Sequence, residues 1–219
     1  MKSTTLLLTT TLVGLALGAQ AADLQWNFDS GLPTADGTFT GGTVGWNAVL
    51  KAAQYTGTAS GWTMGGDGPK FEFTGTSQTA MQAIANAGDG RISFDLTVST
   101  SASFNNGGWA NGDWYQVHFA ANSGGTTGWT QDPTPYGPNP ISGSYSATGS
   151  DQTLHVDMPF SALGWEPGDQ WFQVFFGGNS GTKPLQFTID NIHVSEVPEP
   201  GILAISGLGI GALLIFRRR

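Results

Sequence analysis

The clearest hydrophobic pattern in the chain is a strict alternation. Between Arg91 and Ser99, Ile92, Phe94, Leu96 and Val98 point one way, and Ser93, Asp95, Thr97 and Ser99 the other. A period of two means an extended strand with one buried face and one wet face. The same period runs through Asp113–Ala120, where Tyr115, Val117 and Phe119 alternate with Trp114, Gln116 and His118. It returns in Thr153–Met158, with Leu154, Val156 and Met158 inward, and in Lys70–Thr74, with Phe71 and Phe73 around Glu72. Leu24–Phe28, Trp171–Phe176 and Gln186–Ser195 complete the predicted strands. Helical signal is scarce. Ser77–Ala87 predicts one short helix ending before Gly88-Asp89-Gly90, and Pro159–Trp165 a single helical turn. Two stretches carry little period. One is the Gly/Thr-rich segment after Gly31, in which Trp46 and Trp62 are isolated aromatics; the other is Asn122–Ser150. A loop as long as the second is functional or mobile in a compact domain. Short strands joined by many turns predict an all-β antiparallel sandwich.

The last strand breaks phase. Phe187 and Ile189 share a face, and Ile192 and Val194 share one, but the second pair starts three residues on. One extra residue at Asp190-Asn191 restores the pattern, which predicts a β-bulge there.

One segment is echoed. Trp114-Tyr115-Gln116-Val117-His118-Phe119, followed by Asn122-Ser123-Gly124, is matched 57 residues on. The match is Trp171-Phe172-Gln173-Val174-Phe175-Phe176, followed by Asn179-Ser180-Gly181. Two strands with one job in one sheet would place Trp114, Gln116, Trp171 and Gln173 in a polar-aromatic patch if they lay side by side. The alternative is that one aromatic row enters the core and the other covers a sheet edge.

Both ends of the chain have a different texture. Met1-Lys2, the apolar Leu6–Leu17 and Ala19-Gln20-Ala21 predict a secretory signal peptide over residues 1–21, cut after Ala21. At the other end stand Val197, Pro198, Glu199 and Pro200, then Gly201–Phe216 without charge or proline, then Arg217, Arg218 and Arg219. The prolines stop any strand or helix. The apolar run sits at the short limit of a membrane-spanning helix, and the arginines would hold its end on the cytoplasmic side. Residues 197–219 resemble the PEP-CTERM sorting signal of Gram-negative bacteria. That resemblance implies export, transient anchoring in the inner membrane, and recognition by an exosortase-type processing enzyme. It implies delivery to the cell surface or extracellular matrix, in a family associated with exopolysaccharide and biofilm.

Between the signals lies a domain predicted over residues 22–196. It has no cysteine, which excludes thiol catalysis and disulfide staples. Its four basic residues, Lys51, Lys70, Arg91 and Lys183, face fifteen acids, a formal charge of −11. Such a surface repels nucleic acid and anionic lipid. The opening Asn27-Phe28-Asp29-Ser30-Gly31 and the closing Ile189-Asp190-Asn191-Ile192 resemble the first and last strands of carbohydrate-binding-module-like jelly rolls. The resemblance implies a jelly-roll sandwich. It also implies a structural Ca²⁺ held by Asp29 and Asp190 with backbone carbonyls, a ligand set that suits a hard cation. The alternative leaves Asp29 as a turn residue and Asp190 as a bulge residue, with no metal.

Catalytic signals are thin. His118, His155 and His193 lack metal-ligand spacing, and neither a Gly-x-Ser-x-Gly elbow nor a phosphate loop occurs. A glycoside hydrolase needs two carboxylates across a bond, and nothing in the sequence brings Glu72 and Glu166 together. Binding fits better. Trp109, Trp114, Trp129, Tyr136, Tyr145 and Trp171 lie in loops or on wet faces, with Gln116, His118, Gln173 and several asparagines among them. Aromatic rings stack on the C–H faces of sugars, and amides answer the hydroxyls. The same mixture suits a protein interface. The expectation is a non-catalytic exported module binding polysaccharide or matrix. A protein-binding module and a structural envelope or biofilm component without a glycan ligand stay open.

Overall fold

The computed structural model of the protein describes residues 22–65, 68–88, 90–98, 110–146 and 149–196. The predicted signal peptide, the sorting tail and Trp109 lie outside them. Among the described residues no helix is long and apolar enough to cross a membrane.

Among the described residues twelve strands form two antiparallel sheets packed face to face. In chain order they are β1 (Asp23–Trp26), β2 (Gly37–Thr40), β3 (Val44–Asn47), β4 (Ala52–Thr56), β5 (Lys70–Phe73) and β6 (Gly90–Val98). Then come β7 (Trp114–Ser123), β8 (Thr130–Gln131), β9 (Ile141–Ser144), β10 (Gln152–Pro159), β11 (Phe172–Ser180) and β12 (Gln186–Glu196). The first sheet runs β10-β6-β12-β4-β3, with β1 also on β12. The second runs β2-β5-β11-β7-β8, with β9 also on β7. The fold is an all-β antiparallel sandwich of jelly-roll type, and its first and last strands lie side by side.

Alternation builds the core as the sequence predicts. Ile92, Phe94, Leu96 and Val98 of β6 are buried, and Phe94 meets Phe119 of β7 and Phe176 of β11 edge-on at 5.2 and 5.3 Å. Edge-to-face rings at this spacing add to the burial itself. The predicted bulge is present: the β12–β6 register shifts between Asp190 and His193, and Asn191 sits at φ 53°. The predicted helix is α1 (Gly75–Ala87), which turns Met81, Ile84 and Ala85 inward where the chain crosses from β5 to β6. Thr74 supplies no side-chain cap; Asp36, from another segment, accepts the Thr76 N–H at 2.8 Å in its place. The predicted single turn is a 3₁₀ segment, Phe160–Leu163.

Three short strands, β2, β3 and β4, occupy the Gly/Thr-rich stretch that shows no period. The long 122–150 segment holds β8 and β9, and it is tied down. Its Tyr136 packs on Phe119, donates its hydroxyl to the His155 carbonyl, and accepts the Asp157 N–H. That covers part of the open edge of β10.

Candidate functional site

The inward rows of β7 and β11 belong to the core, so their other rows face out. Seven described tryptophans divide the same way: Trp26 and Trp165 are buried, and five are exposed. Four of those five, Trp62 (49%), Trp114 (43%), Trp129 (42%) and Trp171 (37%), stand on the outer face of the second sheet. The fifth, Trp46, is on β3 of the first sheet and donates its indole N–H to the Phe28 carbonyl at 2.7 Å.

The strands β7 and β11 are direct neighbours, but antiparallel. This corrects the single patch expected of Trp114, Gln116, Trp171 and Gln173. Trp114 lies at one end of the ribbon, opposite Gly181, and Trp171 at the other, beside Gly124. Gln116 pairs with Asn179, and Gln173 with Asn122. The two tryptophans are ten residues apart along β7, or about 33 Å at the strand rise of about 3.3 Å per residue. Each indole lies where its glycine has no side chain. A Cβ on Gly181 would meet Trp114 Nε1 at 2.5 Å, and one on Gly124 would meet Trp171 Nε1 at 2.9 Å.

The middle of the face is partly roofed. Trp62 stands edge-on to His118 at 5.1 Å, and Trp129 edge-on to Phe175 at 4.9 Å. Met64, Ala120 and Phe175 form a small apolar cluster beneath. His118, expected as an open ligand contact, is only 5% exposed. Its Nδ1 lies 2.9 and 3.0 Å from the two Asp132 oxygens, and its buried Nε2 has no hydrogen-bond partner among the described residues. Asp132 reaches it from φ 48°, a backbone conformation that Asp tolerates. Beyond Phe175, Lys70 pairs with Glu72 at 2.5 Å, and Gln173 donates to Glu72 at 2.8 Å. Trp62, Asn179 and Phe175 belong to the face, although they have no place among the site residues expected from the sequence. Phe175 stands where His118 does in the 57-residue match, and that equivalence is the signal that points to it.

The outer face of the first sheet is different. His155 pairs with Asp95, His193 with Asp23, and Arg91 with Asp157. A shallow recess of about 270 Å³ lies among Arg91, Ser93, His155, Asp157, His193 and Ser195. Glu72 and Glu166, the candidate hydrolase pair, have separate local partners. The hydroxyl and backbone N–H of Thr126 bond Glu166 and hold its carboxyl below the usual range.

At the bulge, burial pushes the Asp190 carboxyl up, and the Asp95 and Asp29 carboxylates add to the rise. N–H groups of Asn191 and Phe28 pull the other way. The expected ligands Asp29 and Asp190 are therefore close enough to feel each other's charge. In donor chemistry they fit one side of an oxygen-lined cation site. Lys51 stands 3.8 Å from Asp29, and among the described residues no group of three or more His, Asp or Glu is placed to hold a metal.

No protein-family model matches the chain, and no curated protein matches it. Among solved structures it is similar to the CBM22-1 xylan-binding domain of Xyn10C from Paenibacillus barcinonensis, with 15% identity and a TM-score of 0.46 over 80% of this chain and 93% of that one. It is similar to the carbohydrate-binding module TmCBM27, described in mannan recognition, with 12% identity and a TM-score of 0.47 over 82% and 99%. It is also similar to the xylan-binding module CBM15, with 13% identity and a TM-score of 0.42 over 81% and 98%.

Proposed function

We propose that this chain is a non-catalytic, polysaccharide-binding module whose ligand lies along the outer face of the second sheet. The observation that carries the proposal is the gathering of four exposed tryptophans on that one face, with amide side chains between them. A row of exposed rings has a cost in water that a monomeric surface rarely bears without use. Flat rings take the C–H faces of sugars, and Gln116, Asn179, Gln173 and Asn122 supply donors and acceptors for hydroxyls. The length of the face suits a chain of several sugars. The strongly acidic domain favours a neutral glycan over an anionic one.

Affinity electrophoresis of the full chain through gels holding soluble xylan, mannan or a cellulose derivative tests this. Retardation by at least one polymer is expected, and free migration in all of them would remove the glycan.

The address is part of the same proposal. The signal peptide and the Pro-Glu-Pro tail support export, anchoring through the C-terminal apolar run, and processing by an exosortase-type enzyme for the cell surface or matrix. Truncation after Glu196 is expected to release the domain in soluble form; retention of that truncated chain in the inner membrane would refute the role given to the tail. A structural Ca²⁺ at Asp29 and Asp190 is supported by the half-buried Asp190 carboxylate, which burial and the neighbouring Asp95 and Asp29 carboxylates disfavour in its charged form. It would join the first strand's exit to the last strand in a domain without disulfides.

A further inference from the structure

The 57-residue match and the β7–β11 register describe one symmetry. Phe119 and Phe176, equivalent in the match, are directly opposite each other. Every other matched pair is then exchanged by a local two-fold axis through them. Gln116 faces Asn179, while Gln173 faces Asn122. The Trp114 carbonyl accepts the Gly181 N–H at 3.2 Å, and the Trp171 carbonyl accepts the Gly124 N–H at 3.2 Å. Each indole covers the other strand's glycine.

The symmetry reaches residues outside the match. His118 and Phe175 are equivalent positions, and each carries a tryptophan from a different loop at nearly the same geometry. Trp62 meets His118 at 5.1 Å and 68°, and Trp129 meets Phe175 at 4.9 Å and 64°. Each half of the face thus repeats one order along the strands: an outer tryptophan, an amide row, and an inner tryptophan standing on a ring.

Resting on the polysaccharide reading above, we infer that the face is two equivalent saccharide half-sites rather than one continuous site. One is Trp114, Gln116, Asn179 and Trp62. The other is Trp171, Gln173, Asn122 and Trp129. Each amide row lies two residues from its outer tryptophan and two from its inner ring. The span between the two tryptophans is then about 13 Å at the strand rise, room for a short oligosaccharide. A two-fold axis reverses direction, so the half-sites receive a polar glycan chain in opposite senses. A single straight chain satisfies one half-site in its proper direction, and a second chain, or a folded-back one, satisfies the other. The module is therefore bivalent and joins chains.

The halves are not identical in their surroundings. Lys70 and Glu72 flank Gln173, whereas Ser142 of β9 lies beside Gln116. Their affinities for one sugar therefore differ, and their number does not.

Titration calorimetry of the full chain decides the matter, using xylotriose, mannotriose or cellotriose according to the polymer that retards it. Two trisaccharides per chain are expected. Trp114→Ala and Trp171→Ala are each expected to leave one, and the double variant none. Each single variant should bind the polymer about 100-fold more weakly through lost multivalency. The intact chain, and neither single variant, should cross-link the polymer in light scattering. One trisaccharide per chain, lost in both single variants, would overturn the half-sites while leaving the polysaccharide function standing. Absence of binding to every polymer would overturn both.

Discussion

The two outer faces of this sandwich are built from the same alternation and put it to different ends. On the first sheet, outward side chains satisfy each other: Arg91 with Asp157, His155 with Asp95, His193 with Asp23, Thr97 with Thr153. That outer face carries no ring larger than imidazole among the described residues of its strands. Trp46 stands opposite the buried Ala53, in the inward row of the edge strand. On the second sheet the outward row is Trp, Gln, His, Ala and Asn on β7, and Gln, Phe, Gly and Asn on β11. Its tryptophans are neither buried nor paired with each other. A face whose charges are already matched offers little to a neutral ligand. A face of half-exposed rings and amides gains by being covered.

The largest effect that can be forced on this comparison removes both faces together. Phe94 is wedged between Phe119 and Phe176, so Phe94→Ala is expected to cost about 3–5 kcal/mol and lower the melting temperature by roughly 10 °C. A melting curve within about 2 °C of the wild type would mean that the sheets do not depend on that contact. Next comes the contrast itself. Trp129→Ala is expected to cost about 2 kcal/mol of polysaccharide affinity, a rise in Kd of about 30-fold. The double variant His155→Ala/His193→Ala should bind within about twofold of the wild type. Equal losses on both faces, measured by calorimetry against the retarding polymer, would place the ligand elsewhere.

A smaller change separates the ring from its seat. Gly181→Ala puts a methyl 2.5 Å from Trp114 Nε1, at a glycine without positive φ. The ring must move and the backbone need not. Affinity is expected to fall about tenfold with little change in melting; unchanged affinity would mean that the pose of Trp114 over Gly181 is irrelevant to binding.

The smallest effect concerns the bulge. Burial and neighbouring carboxylates raise the Asp190 carboxyl, so its protonated form is favoured in the fold. Its contribution to stability is complete below the ordinary carboxylate range and is lost as pH rises through the raised value. Asp190→Asn should therefore melt slightly higher than wild type at pH 7 in EDTA, and no higher in acid. Calcium should raise the melting temperature of the wild type and not of the variant. A calcium shift shared by both proteins would move the ion away from Asp190.

Strong period was legible in the sequence alone. Strands β5, β6, β7, β10, β11 and β12, the helix and the 3₁₀ turn stand where alternation and punctuation put them. The bulge at Asp190-Asn191 follows from a one-residue phase error. The strands β2, β3 and β4 were not legible. GTFT, VGWN and AAQYT are too short and too mixed to show a period; pairing defines them, β2 on β5, β4 on β12, and β3 on β4. The aromatic face of the second sheet was legible by halves. Trp114, Gln116, Trp171 and Gln173 were visible as an echo, but the echo does not say whether the strands run together or opposed. His118 looked like surface because its row points outward; Trp62 and Asp132 bury it from two other segments.

The fold class, the inward row of each long strand, the phase slip in the last one and the likeness of two strands could all be read from the sequence. These follow from a period of two, which acts between neighbours along the chain. Only the tertiary structure decided which residues stand opposite one another across strands. Antiparallel pairing turned one expected patch into two ends of a ribbon, and loops after β4 and β7 brought Trp62 and Trp129 onto equivalent rings. Register and direction are set by the packing of whole sheets, and a side chain's cross-strand neighbours are known only once that packing is complete.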